Sequence, residues 1–203
     1  MTDWYKIKRV LTWVNWEEKQ IYPAGWKYSY DFRNKTMQNL TDDWWTFSPS
    51  GSSSVYFDSN GMYCTTSSWK PIQHDIDLSN ATKVTIESNC TLVSSRNYFL
   101  WIGTAYTEWN PNGTYMYFWA SSTYIGLCNT SVYTDSTKPT WWFTAKIEID
   151  FAAKTIAYYI WNSQYYTQSL TDAQITTMKS YNKLQLGTAV SWNYAVDISI
   201  TAQ

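Results

Sequence analysis

Along much of this chain polar and apolar residues alternate one by one, the period of a strand with one buried face. The longest example runs from Trp142 to Phe151, where Phe143, Ala145, Ile147, Ile149 and Phe151 share a side. Lys83 to Glu87, Cys90 to Val93, Thr114 to Trp119, Thr123 to Leu127, Thr155 to Trp161 and Ala195 to Ile200 follow the same rule. Tyr98 to Gly103 is instead a continuous apolar run, which predicts a strand inside the core. Turn signals separate these segments: Asp58-Ser59-Asn60-Gly61, Asn110-Pro111-Asn112-Gly113 and Ala152-Ala153-Lys154. The chain reads as about 12 to 14 short strands with turns at roughly 8–12-residue spacing. Only Thr171 to Met178 carries helix signals, with Thr171 as cap and Asp172 near the positive end. Two packed antiparallel sheets, an all-β jelly-roll sandwich with one short helix, is the expected fold.

Residues 1–26 read as a separate segment ahead of a sandwich spanning 27–203. Lys6 to Leu11 alternates, Trp13 to Glu18 interrupts, and Lys19 to Tyr22 forms a second short strand stopped by Pro23. This predicts an N-terminal β-hairpin, which is marginal alone and needs a packing partner. With Lys8, Val10, Leu11, Lys19, Gln20, Ile21, Tyr22 and Pro23, it resembles a hairpin at the start of phage tail and minor structural proteins. The glycine usual in that turn is absent here, with Trp13 and Trp16 nearby. The resemblance implies docking onto other virion proteins through residues 1–26.

A second resemblance rests on Lys146 to Phe151, the hairpin back through Tyr158-Tyr159-Ile160, the short helix after Leu170, and the closing Val196 to Ile200. Together, over roughly residues 28–203, they look like the concanavalin A-like lectin and laminin-G jelly rolls. What this implies is a curved sandwich whose concave face binds glycans.

Composition adds chemistry to that frame. The 203 residues include 18 Tyr and 14 Trp, while charged residues are only 15% against a typical share of about 25%. Such a surface is rich in hydroxyls and aromatics, as binding loops are. Net charge is −1 and the isoelectric point about 5.8, which excludes an ordinary nucleic-acid binder; Lys6, Lys8 and Arg9 are the nearest thing to a basic patch. Cys64, Cys90 and Cys128 are too few and too far apart for a zinc motif or a disulfide framework. Met1 to Lys6 lacks the apolar stretch of a signal peptide, and no run is long enough to span a membrane.

Catalytic constellations are sparse. His74 is the only histidine and reads as structural or solvated. Glu148-Ile149-Asp150 resembles the E-x-D strand of jelly-roll glucanases, since period two puts both carboxylates on one side. The second glutamate of that pattern is missing, and Phe151 to Lys154 follow instead. The expectation is a solvent face rather than a catalytic pair, and no enzyme. Asp58-Ser59-Asn60 and Asp75-Ile76-Asp77 offer oxygen ligands for calcium. Turn formation explains the first and alternation the second, so no metal or cofactor is expected.

Tyr106, Trp109, Asn110, Asn112, Tyr115, Tyr117 and Trp119 gather around one turn, and residues 115, 117 and 119 share a face. Sugars stack on such rings while amides read their hydroxyls. The cluster fits a glycan-binding face, the core, or an interface between copies of the chain.

Glycine is unusually scarce at 7 residues, half its typical share of about 7%. Trp13, Trp16 and Trp26 stand where a turn favours glycine. One reading is that some tryptophans are read from UGA in a cell that translates it as glycine. The functional expectation is a non-catalytic phage virion protein, a tail or head fibre or decoration component, on the virion or extracellular surface. Its partners would be other virion proteins, cell-surface glycans and copies of itself, with neither nucleic acid nor a membrane. A free carbohydrate-binding module is the alternative, and a glycoside hydrolase using Glu148 and Asp150 a more remote one.

Overall fold

The computed structural model describes residues 10–14, 17–21, 25–47, 55–64, 72–92, 98–104, 113–119, 122–136, 139, 141–188 and 193–203. Val10–Val14 (β1) and Glu17–Ile21 (β2) pair antiparallel as a two-stranded hairpin, with Val10 opposite Ile21. Two larger antiparallel sheets make the sandwich. One has seven strands, in the order Thr130–Asp135 (β12), Ser122–Leu127 (β11), Gly113–Trp119 (β10), Tyr98–Gly103 (β9), Lys183–Thr188 (β16), Ile72–Asp75 (β7) and Thr46–Phe47 (β4). The other runs Ser163–Ser169 (β15), Thr155–Ile160 (β14), Trp141–Asp150 (β13), Lys83–Leu92 (β8), Tyr194–Ala202 (β17), Gly61–Cys64 (β6) and Val55–Asp58 (β5), with Lys27–Asp31 (β3) also pairing to β17.

The sheets meet where the alternation said they would. Every second residue of β8 is buried from Val84 to Leu92, and every second residue of β13 from Phe143 to Ile149. These strands pair along their whole length, from Trp141 opposite Leu92 to Asp150 opposite Lys83. Strand β9 is buried throughout, as its unbroken apolar run required. Phe143 of β13 meets Phe118 of β10 at 5.0 Å and Tyr98 of β9 at 6.1 Å, both edge-to-face, so aromatic rings join the layers. Tyr158 of β14 crosses between sheets too, donating its hydroxyl to the Gly126 carbonyl of β11 at 3.0 Å.

Among the described residues there are two helices rather than the single one expected. Asp172–Lys179 (α2) begins as predicted: Thr171 Oγ1 accepts from the Gln174 amide, and the Gln174 side chain accepts from the Thr171 amide. Met37–Asp42 (α1) has the same box between Thr36 and Asn39. Its short run with one buried residue, Leu40, carries too little periodicity to read from sequence. The strand after α1 is only Thr46–Phe47 (β4), because Trp44 and Trp45 close the helix. Trp45 drops into the core, 2% exposed, and donates Nε1–H to the Tyr28 hydroxyl at 2.9 Å.

Trp26 corrects another expectation. It is buried, donates Nε1–H to the Asp77 carbonyl at 3.2 Å, and lies beside Gly25, which supplies the positive φ of the turn. A glycine at position 26 would leave a hole. Trp13 lies in β1 opposite Glu18, and Trp16 falls outside the described residues.

Cys64 and Cys90 are buried in strands β6 and β8, while Cys128 is half-buried at the turn after β11. His74 is buried, stacked on Tyr28 at 4.2 Å and edge-on to Trp45 at 5.2 Å. It is a core histidine.

Candidate functional site

Register decides which side chains share the outer face of the seven-stranded sheet. In β10, Met116 and Phe118 point into the sandwich and are fully buried, so Tyr115 and Tyr117 stand on the other side, half-buried. Tyr115 lies opposite Gly126 of β11 and Trp101 of β9. Trp101 in turn lies opposite Gln185 of β16, Gln185 opposite Gln73 of β7, and Gln73 opposite Thr46 of β4. One row thus reads Gly126, Tyr115, Trp101, Gln185, Gln73, Thr46 across six strands. The next row sets Tyr117 opposite Tyr124 and Phe99, with Phe99 opposite Gly187.

Glycines make room for these rings. A Cβ on Gly126 would stand 2.0 Å from Tyr115 Cε1, and one on Gly187 would stand 2.0 Å from Phe99 Cζ. The rings therefore occupy space that side chains would otherwise fill. Tyr117 stacks with Tyr124 at 5.5 Å, and Phe99 with Trp101 at 4.6 Å. Phe99, Trp101 and Gln185 are buried, whereas Tyr115, Tyr117, Tyr124 and Gln73 keep part of their surface.

Polar groups in this face are only partly satisfied. Gln185 Nε2 donates to the Thr104 carbonyl at 2.7 Å, but Gln185 Oε1 and Gln73 Oε1 have no hydrogen-bond partner among the described residues. Buried amide oxygens normally find a donor. Burial raises the Tyr115 phenol above its ordinary value, and burial followed by the neighbouring phenols raises Tyr117. Both stay neutral donors at physiological pH. The edge of the face carries Asp75, ion-paired with Lys183.

Of the residues expected from sequence, the structure brings Tyr115 and Tyr117 together on this face. Trp119 continues their alternation, with its Cα opposite Ser122, but its side chain lies outside the described residues. So do Tyr106, Trp109, Asn110 and Asn112. The sequence reading missed Tyr124, Phe99, Trp101, Gln185 and Gln73. Tyr124 was within reach, since it alternates with Thr123 and Ile125. Gln185 and Gln73 carried no signal, because only the pairing of distant strands sets them beside Trp101.

Glu148 and Asp150 lie on β13, in the eight-stranded sheet, and so on the opposite layer from these aromatics. Glu148 accepts from Lys146 Nζ at 3.2 Å, and that ammonium stands 4.0 Å from the Tyr159 ring centroid. Burial alone would raise the Glu148 carboxyl, but hydrogen bonds from Lys146 and Tyr159 and the lysine charge outweigh it, and its pKa is lowered. That is the reverse of what a general acid needs. Asp150 Oδ1 accepts the Ala153 amide at 2.7 Å and shapes the turn.

The calcium candidates are likewise occupied by the chain. Asp58 accepts from the Asn60 amide at 2.6 Å and from Tyr194 at 3.0 Å, and Asp77 accepts from the Ser79 amide and hydroxyl at 2.9 and 2.7 Å. No group of three His, Cys, Asp or Glu among the described residues could hold a metal. No helix among them is long and apolar enough to cross a membrane.

No protein-family model and no curated protein matches this sequence. Solved structures do match its fold. Peanut lectin is similar at 10% identity and TM-score 0.62, over 87% of this chain and 97% of that one. The endo-1,3-beta-glucanase from Streptomyces sioyaensis is similar at 13% identity and TM-score 0.59, over 86% and 95%. The CBM2 module of the evolved Dit of Lactobacillus casei BL23 phage J-1 is similar at 9% identity and TM-score 0.56, over 89% and 96%. The fold is therefore the concanavalin A-like jelly roll shared by lectins and glucanases.

Proposed function

We propose that the outer face of the seven-stranded sheet binds glycan without cleaving it, within a phage virion protein of the tail or head fibre or decoration type. The observation that carries the binding is the partly exposed cluster of Tyr115, Tyr117 and Tyr124 on the neighbouring strands β10 and β11. Neutral rings present apolar surface to the C–H faces of a sugar, and their phenol hydroxyls exchange hydrogen bonds with its hydroxyls. Non-catalytic binding is favoured because Glu148 and Asp150 stand on the other layer and serve an ion pair and a turn. The virion assignment draws support from the N-terminal hairpin and from the phage module among the similar structures. Residues 1–26 dock the sandwich onto other virion proteins, and several copies act together for avidity.

A glycan array followed by calorimetry tests the binding. Saturable binding is expected for the wild type and a loss of tenfold or more (about 1.4 kcal/mol) for Tyr115→Ala or Tyr117→Ala. Unchanged affinity in both variants refutes this face. Release of reducing ends from a β-glucan by the wild type, abolished in Glu148→Gln, would make the chain a hydrolase instead. Copurification with virus particles, lost when the hairpin residues 1–21 are removed and Trp26 is kept, tests the docking role.

A further inference from the structure

Seven non-glycine residues among those described have φ in the left-handed region: Asn34, Trp44, Cys128, Asn129, Trp141, Lys154 and Trp161. Asparagine tolerates that region through its short polar side chain. Tryptophan does not, yet it supplies three of the seven, at φ 64, 66 and 55. A bulky side chain at positive φ is a genuine outlier.

Each of the three sits where the local geometry asks for glycine. Asp43 caps the C-terminus of α1, the Trp44 amide donates to the Thr41 carbonyl at 3.1 Å, and the Trp45 amide donates to Leu40 at 2.9 Å. That pair of bonds is a Schellman motif with Trp44 at its left-handed position, which glycine usually fills. Ile160 pairs with Ser163, so Trp161 and Asn162 form a two-residue hairpin loop. Trp161 takes positive φ at the first loop position, where such hairpins favour glycine. Trp141, the first residue of β13, has φ 66, a region that glycine enters freely.

Burial points the same way. Trp44, Trp141 and Trp161 are 42, 70 and 48% exposed, whereas Trp26, Trp45 and Trp101 are 2–4% exposed and have ordinary backbones. The buried three fill the fold; the left-handed three leave 42 to 70% of their surface in solvent. Trp161 Nε1 does donate to the Trp142 carbonyl at 3.2 Å, but at an exposed site, where such a bond contributes little. Trp142 is exposed with an ordinary backbone and stays outside the set.

We infer that positions 44, 141 and 161 are glycines in the protein as its own host makes it, read from a codon that other cells translate as tryptophan. UGA is such a codon, tryptophan in some genetic codes and glycine in others. The scarcity of glycine, 7 residues against 14 tryptophans, then has a cause at named positions. Position 26, where the sequence alone raised the same idea, is excluded by its buried indole.

Two measurements on the full chain test this. Trp44→Gly, Trp141→Gly and Trp161→Gly, singly and together, are compared with the tryptophan form by denaturant unfolding, with Trp45→Gly as the contrast. Relief of left-handed strain raises the folding equilibrium constant by about threefold or more at each site, less what glycine's freedom in the unfolded chain takes back. Trp45→Gly loses the folded state. No gain at any of the three positions overturns the structural half of the inference. Peptide masses of protein from its natural source test the other half: each of the three peptides should be lighter by the difference between tryptophan and glycine. Intact tryptophan there overturns the codon assignment, whatever the stability result. Positions 141 and 161 belong to the eight-stranded sheet, away from the Tyr115–Tyr117 face, so glycan binding stays unchanged in the Trp141→Gly, Trp161→Gly double variant and its failure there would be a separate result.

Discussion

Tyr115 fills the place of a side chain at Gly126: a methyl group on that glycine would stand 2.0 Å from Cε1 and 2.1 Å from Cζ of the ring. Gly126 is also fixed from beneath, where Tyr158 of the other sheet donates to its carbonyl. The glycine cannot retreat, so in Gly126→Ala the Tyr115 ring must swing away from the sheet. The expected outcome is a fold that survives, seen in an unchanged far-UV circular dichroism spectrum, with glycan affinity falling tenfold or more. Wild-type affinity in Gly126→Ala would show that the ring position does not matter.

Gly113 answers to backbone instead. A Cβ there would meet the Ile102 carbonyl oxygen at 2.1 Å and the Gly103 Cα at 2.9 Å. Backbone in the middle of a sheet has nowhere to go. Gly113→Ala should cost about 2 kcal/mol or more of stability, at the upper end of overpacking effects. Urea unfolding measures it, and a loss below that of a surface substitution would contradict the β9–β10 register.

Phe143 holds the layers together. It is fully buried and contacts Phe118 and Tyr98 across the sandwich. Phe143→Ala leaves a cavity between sheets and should destabilise by about 3–5 kcal/mol. Phe143→Leu, which keeps most of the volume, should lose less than half as much in the same unfolding assay.

Alkaline pH should unfold the protein. Burial pushes the Cys90 thiol above its ordinary value of 9.0, and pushes the phenols of Tyr30, Tyr98, Tyr158 and Tyr181 above 10.0. In each case the folded state holds its proton more tightly than the unfolded chain. Stability from these groups is complete below the unfolded values and is lost as pH rises past them. Thermal midpoints should stay level from about pH 7 to 9 and fall beyond roughly pH 10. A flat profile to about pH 11 would mean that these groups are not buried in solution.

The cap of α2 offers a smaller check. Thr171 accepts the Gln174 amide and Gln174 answers in return. Thr171→Ala should cost about 1 kcal/mol by denaturant unfolding. Thr171→Ser should restore most of it.

What the sequence determined by itself was face and period. Single alternation in residues 84–92 and 143–149 told which side chains enter the core, because in a strand successive side chains must point opposite ways. The Thr171 cap announced α2 because its hydrogen bonds close within four residues. Tyr115 and Tyr117 could be put on one side of a strand for the same local reason. Tertiary structure decided the rest. Backbone hydrogen bonds between strands are alike for every residue, so alternation names a face without naming a neighbour. Only the folded chain sets β16 between β9 and β7, bringing Gln185 beside Trp101 and Gln73 from more than 80 residues apart. Only it puts Glu148 on the far sheet from the aromatic rows. And only a backbone angle, invisible in a string of letters, separates the tryptophans that build the core from those that stand where glycine belongs.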